Sequence, residues 1–94
     1  MATLHIINSS SLDNCLHAAS PGDTVLLVGN GVYCAVDSVF ARIAKRAVDT
    51  SCCALAADVA SRGIGQLISS QVHQIDDAAF VDLAVSHHPV VSWS

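Results

Sequence analysis

Two short apolar runs do most to limit what this chain can fold into. Residues 24–28 (TVLLV) and 52–56 (CCALA) show no alternation of apolar and polar positions. A strand with one wet face alternates with a period of two, so an unalternating run of this length belongs in a sheet covered on both faces. Residues 3–7, 71–75 and 90–93 are further strand candidates, and helical patterns lie between the five. Strands alternating with helices predict an α/β sandwich around a mainly parallel sheet.

The helices have readable boundaries. Ser10 and Asp13 form a capping box ahead of Leu12, Cys15, Leu16 and Ala19, an i, i+3, i+4, i+7 stripe that Ser20-Pro21-Gly22 closes. Gly29-Asn30-Gly31 reads as a turn. Val32, Val36, Val39, Phe40, Ile43 and Ala47 then predict one long helix. Asp58 is expected to cap a short helix ending at Arg62-Gly63, and Asp76 or Asp77 a helix carrying Phe80, Leu83 and Ala84. Ligand sites in parallel sheets lie beyond the carboxyl ends of the strands. That directs attention to residues 8–11, 29–34 and 57–63.

Composition constrains the surroundings. The 94 residues predict one domain, 1–94, yet 52% are apolar, 13% are charged and the mean hydropathy is +0.52. So few charges cannot cover the surface of a small sphere, and the chain is expected to be a subunit whose apolar area other chains cover. No run approaches the ~18–20 apolar residues of a membrane span, and the N-terminal segment lacks the pattern of a secretory signal. The expected location is therefore the cytoplasm, with four reduced cysteines. A net charge of −4 argues against direct nucleic-acid binding, which needs clustered cations. Arg42, Lys45 and Arg46 read instead as a solvated helix end.

Most motif candidates reduce to structure. The glycines at 29 and 31 are too short a pattern for a dinucleotide fingerprint, and neither the histidines nor the cysteines have metal-site spacing. Cys52 and Cys53 sit on one strand, expected to be a central one, pointing to opposite faces, and read as small apolar filler. Cys34 follows a strand-end turn, near where α/β ligands bind. Cys15 lies on the apolar stripe of the first helix, beyond its first turn, and spacing alone makes it a core residue.

Four segments, in order, are similar to the DsrH/TusB family of DsrE-like sulfur-relay proteins: LHIINSSSLDNCL, DTVLLVGNGVYCAV, DVASRG and IDDAAFVDLAVSHHPVVSW. Asn30 stands where that family usually has aspartate, and Asp77 where tyrosine is common. The resemblance implies a three-layer α/β/α sandwich on a five-stranded, mainly parallel sheet. It also implies a heterohexamer with DsrE/TusD-like and DsrF/TusC-like sister subunits, which passes persulfide sulfur to a small DsrC/TusE-like acceptor without metal or organic cofactor. The pathway is either sulfur oxidation or 2-thiolation of the wobble uridine in transfer RNA. The principal sulfur-carrying cysteine of such complexes belongs to a sister subunit, so a purely structural role is open to this chain. The sulfur-oxidising branch, however, resembles this sequence in placing a cysteine on the first helix. That makes Cys15 a candidate persulfide carrier and favours sulfur oxidation.

Overall fold

A computed structural model describes residues 2–9, 11–43 and 50–93. Ser10, Lys45, Arg46 and Ala47, named above for a cap, a basic cluster and a helical stripe, lie outside the described residues. The chain forms β1 (Leu4–Ile7), α1 (Leu12–Ala18), β2 (Thr24–Leu27), a 3-10 segment (Gly29–Ala35), α2 (Asp37–Ile43), β3 (Ser51–Leu55) and α3 (Ala56–Ser61). A 3-10 turn (Gly65–Leu67), β4 (His73–Ile75), α4 (Asp77–Ser86) and β5 (Val90–Trp93) complete it. The five strands make one sheet in the order β4-β3-β2-β1-β5, parallel throughout.

This order explains the layering. From β1 to β4 the chain steps in one direction across the sheet, and right-handed crossovers then put α1, α2 and α3 on the same face. The step from β4 to β5 runs the opposite way to the far edge, so α4 must cross the other face. The larger core forms on the first face, where Ile7, Val25, Leu27, Cys52 and Ala54 meet Leu12, Cys15, Phe40 and Val59. On the second face the buried apolar cluster among the described residues is Leu4, Leu26 and Cys53, beneath a half-buried Phe80 and Leu83. No residue of α4 is buried, and Val81 and Val85 stand exposed on it.

Three expectations are corrected. The stripe from Val32 is not one helix: it is a 3-10 segment, an extended Val36, and then α2. Val36 is held extended by a β-bridge to Ile68 and by the Ser69 N–H bonding the Ala35 carbonyl, tertiary contacts that override the local periodicity. Asp58 is no cap, because α3 begins at Ala56 directly after β3; the carboxylate is used elsewhere. The strand that carries Cys52 and Cys53 is second from an edge, and β2 is the central one. Asp76, by contrast, caps α4 as expected, accepting the Ala79 N–H at 2.8 Å.

Candidate functional site

The carboxyl ends of β1, β2 and β3 bring together the three segments singled out from the sequence. Gly31 passes so close to β1 that a Cβ on it would collide with the Ile7 carbonyl and crowd Asn8 Cα. Only a glycine permits that approach, and this is why the 3-10 segment can lie across the end of β1. Cys34, three residues on, then directs its thiol to the Ser9 carbonyl at 3.8 Å. Beside it, Asp58 accepts the Gly29 N–H at 2.7 Å. The Arg62 guanidinium donates to the Asp58 carbonyl at 3.1 Å and to Asn30 Oδ1 at 3.0 Å. It also lies 5.8 Å from the centroid of Tyr33, whose ring is exposed. Asn30 and Tyr33 from GNGVY are thus joined to Asp58 and Arg62 from DVASR. The result is a polar corner with one cation and an aromatic ring open to solvent.

The four thiols occupy different surroundings. Cys15 is fully buried, and its thiol is pushed up to about 11 by burial first, then by the Cys52 thiol and the Asp23 carboxylate. Cys52, on the same face of the sheet, is pushed up to about 11 by burial and by its neighbour Cys53. Cys34 is raised by burial and partly lowered by the Leu12 N–H. Cys53 is raised by burial alone, and it points to the opposite face, under α4. At neutral pH burial therefore favours the thiol over the thiolate at all four. The candidate carrier is therefore placed against the core of the first face, away from the polar corner. Among the described residues no three His, Cys or Asp side chains gather as metal ligands.

The DsrH-like protein family model matches residues 7–90. The chain belongs to the DsrH family. Relatives called Protein TusB agree along nearly the whole length. The one from Pectobacterium parmentieri is 32% identical over 96% of this chain and 99% of its own. That from Enterobacter sp. strain 638 is 30% identical over 96% and 99%. An Escherichia coli O81 relative is 35% identical over 83% and 82%. Among solved structures, the ychN protein from E. coli superposes with a TM-score of 0.74 over 99% of this chain and 100% of that one. At 13% identity it shows a shared fold. The five-stranded α/β architecture expected from the sequence is thus present both in the chain and in its structural neighbour.

Family membership gives the polar corner its context. Two of the segments that carry the resemblance, GNGVY and DVASRG, are distant in sequence and meet only here. No local pattern announces an Asp58–Gly29 bond across 29 residues or an Arg62–Asn30 bond across 32. A second buried network was also illegible: His5, Asp23 and Trp93 join three strands on the first face of the sheet. Each of its members looks ordinary in sequence, one residue inside a strand, one before a strand and one at the chain's end.

Proposed function

We propose that this DsrH-family chain is a cytoplasmic subunit of a sulfur-relay assembly. Its sister chains are DsrE/TusD-like and DsrF/TusC-like, and the assembly hands persulfide sulfur to a small DsrC/TusE-like acceptor. One observation carries this reading beyond family membership: the α4 side of the domain leaves apolar side chains exposed. α4 buries nothing fully, Val85 is 82% exposed and Val81 59%. A chain of 13% charged residues with such a face is built to be covered by others. Among the described residues no helix is long and apolar enough to cross a membrane, so lipid contact by a spanning helix does not account for that face.

Of the two pathways that the resemblance implies, the TusB names of the relatives favour 2-thiolation of transfer RNA. Sulfur oxidation is the second reading, and Cys15 on α1 is the residue that favours it. In that reading Cys15 carries sulfur only after α1 lifts from the sheet in the assembly, since the thiol has no exposure in the chain by itself. The test is co-expression with the sister genes, co-purification, and intact mass of every chain. A stable complex with both sister types is the expected result. A monodisperse monomer that ignores them overturns the subunit reading.

A further inference from the structure

The carboxyl end of β5, at one edge of the sheet, is held by a side-chain bond whose donor is fixed. Trp93 gives its indole N–H to Nδ1 of His5 at 3.1 Å, and an indole nitrogen has no other role. Nδ1 must therefore be bare, and Nε2 carries the ring proton toward Asp23 Oδ2 at 2.9 Å. His5 and Asp23 are buried, whereas Trp93 is half-buried, so the indole is the member of the three with ready access to water. The backbone holds the same end loosely, by the Asn8 N–H to the Trp93 carbonyl at 3.5 Å. β5 has β1 as its one neighbour in the sheet. Ile7, the register partner of Trp93, is also the residue whose carbonyl Gly31 approaches. The end of β5 and the polar corner thus lean on one residue of β1 from two sides.

We propose that His5 is a proton-operated latch on the carboxyl end of β5. A solvent proton taken up at Nδ1 replaces the Trp93 hydrogen bond and frees that end of the strand from β1, while Asp23 keeps the ring in place.

The reason is stereochemical. Once Nδ1 carries a proton, two N–H donors point at each other and neither has an acceptor. The bond from Nε2 to Asp23 survives and becomes charge-assisted on both sides, so the imidazole stays and the indole leaves. Histidine ordinarily changes charge between pH 5 and 8, and Asp23, held at about 2, is ionised throughout that range.

The other titratable groups near the latch do not substitute for it. On the same face lie the Cys15 thiol of α1 and the Cys52 thiol of β3, both pushed up to about 11 and so uncharged. His17 lies exposed on α1. His87 and His88 lead into β5; the His87 ring is bonded to Thr24 Oγ1 at 2.9 Å, and the His88 N–H to the Ala2 carbonyl. These last two are the rival sources of acid sensitivity in β5, and single variants separate them.

Trp93 is the single tryptophan of the chain, so its emission reports on the latch directly. The folded full-length chain is titrated from about pH 8 to 4.5, following Trp93 emission, the indole N–H resonance and the His5 ring resonances. Emission is expected to move to longer wavelength in step with His5. Protection of the Asn8 amide against exchange should fall roughly two- to tenfold, the worth of one hydrogen bond. In His5→Gln the side-chain amide can accept from the indole and donate to Asp23 without titrating, and the emission should stay fixed. His87→Gln and His88→Gln should both keep the transition. Trp93→Phe removes the competing donor, so by linkage His5 should take up its proton at higher pH than in the wild type. That arm decides the matter even if His5→Gln does not fold. The latch is overturned by a tryptophan signal that stays constant while His5 titrates, or by a transition that survives in folded His5→Gln. An unchanged His5 midpoint in Trp93→Phe, or a His5 ring that stays neutral down to pH 4.5 in the folded chain, overturns it equally.

Discussion

The indole N–H of Trp93 donates to Nδ1 of His5 across 3.1 Å, and this sets the tautomer of a buried imidazole. Tryptophan has only a donor to offer, so Nδ1 must be bare and the ring proton must sit on Nε2. Nε2 in turn donates to Asp23 Oδ2 at 2.9 Å. The network runs from the edge strand β5 through β1 to the residue that opens β2. It fastens the last strand of the chain to the middle of the sheet.

Trp93→Phe keeps the ring and removes the donor. Stability is expected to fall by about 1 kcal/mol, the worth of one partly buried hydrogen bond. Urea unfolding measures it. In the wild type, nitrogen chemical shifts of His5 should report the Nε2-protonated tautomer; an Nδ1-protonated ring would contradict the geometry.

Asp23 makes the fold sensitive to strong acid. Burial pushes its carboxyl up, but hydrogen bonds from His5 and from the N–H groups of Ser20 and Thr3 prevail and hold it at about 2, below the ordinary 3.8. The unfolded chain therefore binds a proton at Asp23 more readily than the folded one. The resulting stabilisation is complete above about pH 4–5 and is lost as pH falls through 2. The denaturation midpoint should drop between pH 4 and pH 2, and Asp23→Asn should remove part of that slope. The same variant is expected to cost about 2 kcal/mol at pH 7, because an amide cannot accept all three donors with both of its atoms.

Gly31→Ala tests the contact that assembles the polar corner. The added methyl meets backbone, at the Ile7 carbonyl carbon 2.9 Å away and at its oxygen, and backbone has no rotamer by which to yield. A loss of about 2–4 kcal/mol is expected, comparable to overpacking a tight core. A change within 0.5 kcal/mol in thermal or chemical unfolding would show that the 3-10 segment moves freely over β1.

Arg62→Ala removes a surface cation that ties Asn30 to the start of α3. Its bonds are partly exposed, so the isolated fold should lose only about 0.5–1 kcal/mol. Hydrogen exchange at Asn30 and Gly31 should nevertheless quicken, since the guanidinium holds that turn. A large global loss would place Arg62 among the core determinants instead.

Cys15 should resist iodoacetamide in the folded chain until global unfolding exposes it, because the sulfur is fully buried and its pKa is about 11. Cys15→Ser puts a hydroxyl into an apolar core and is expected to cost about 1–3 kcal/mol. Rapid alkylation in the native state, with a nearly neutral serine variant, would restore the case for sulfur transfer at this position.

By itself the sequence determined which stretches are strands, that the sheet is mainly parallel with helices between the strands, and to which family the chain belongs. These are properties of local pattern: an unalternating run such as TVLLV, a cap such as Asp76, an ordered set of motifs. The spacing of Leu12, Cys15 and Leu16 also placed Cys15 on the buried stripe. The tertiary structure alone decided the rest. It broke the Val32 stripe at Val36, because a bridge to Ile68 outweighs helical periodicity there. It sent the Asp58 carboxylate to Gly29 rather than to its own helix, set Cys53 opposite His73, and joined His5 to a tryptophan 88 residues away. Each of these depends on strand order and register. Those follow from how the whole chain buries its apolar faces, and no window along the chain contains both partners of such a contact.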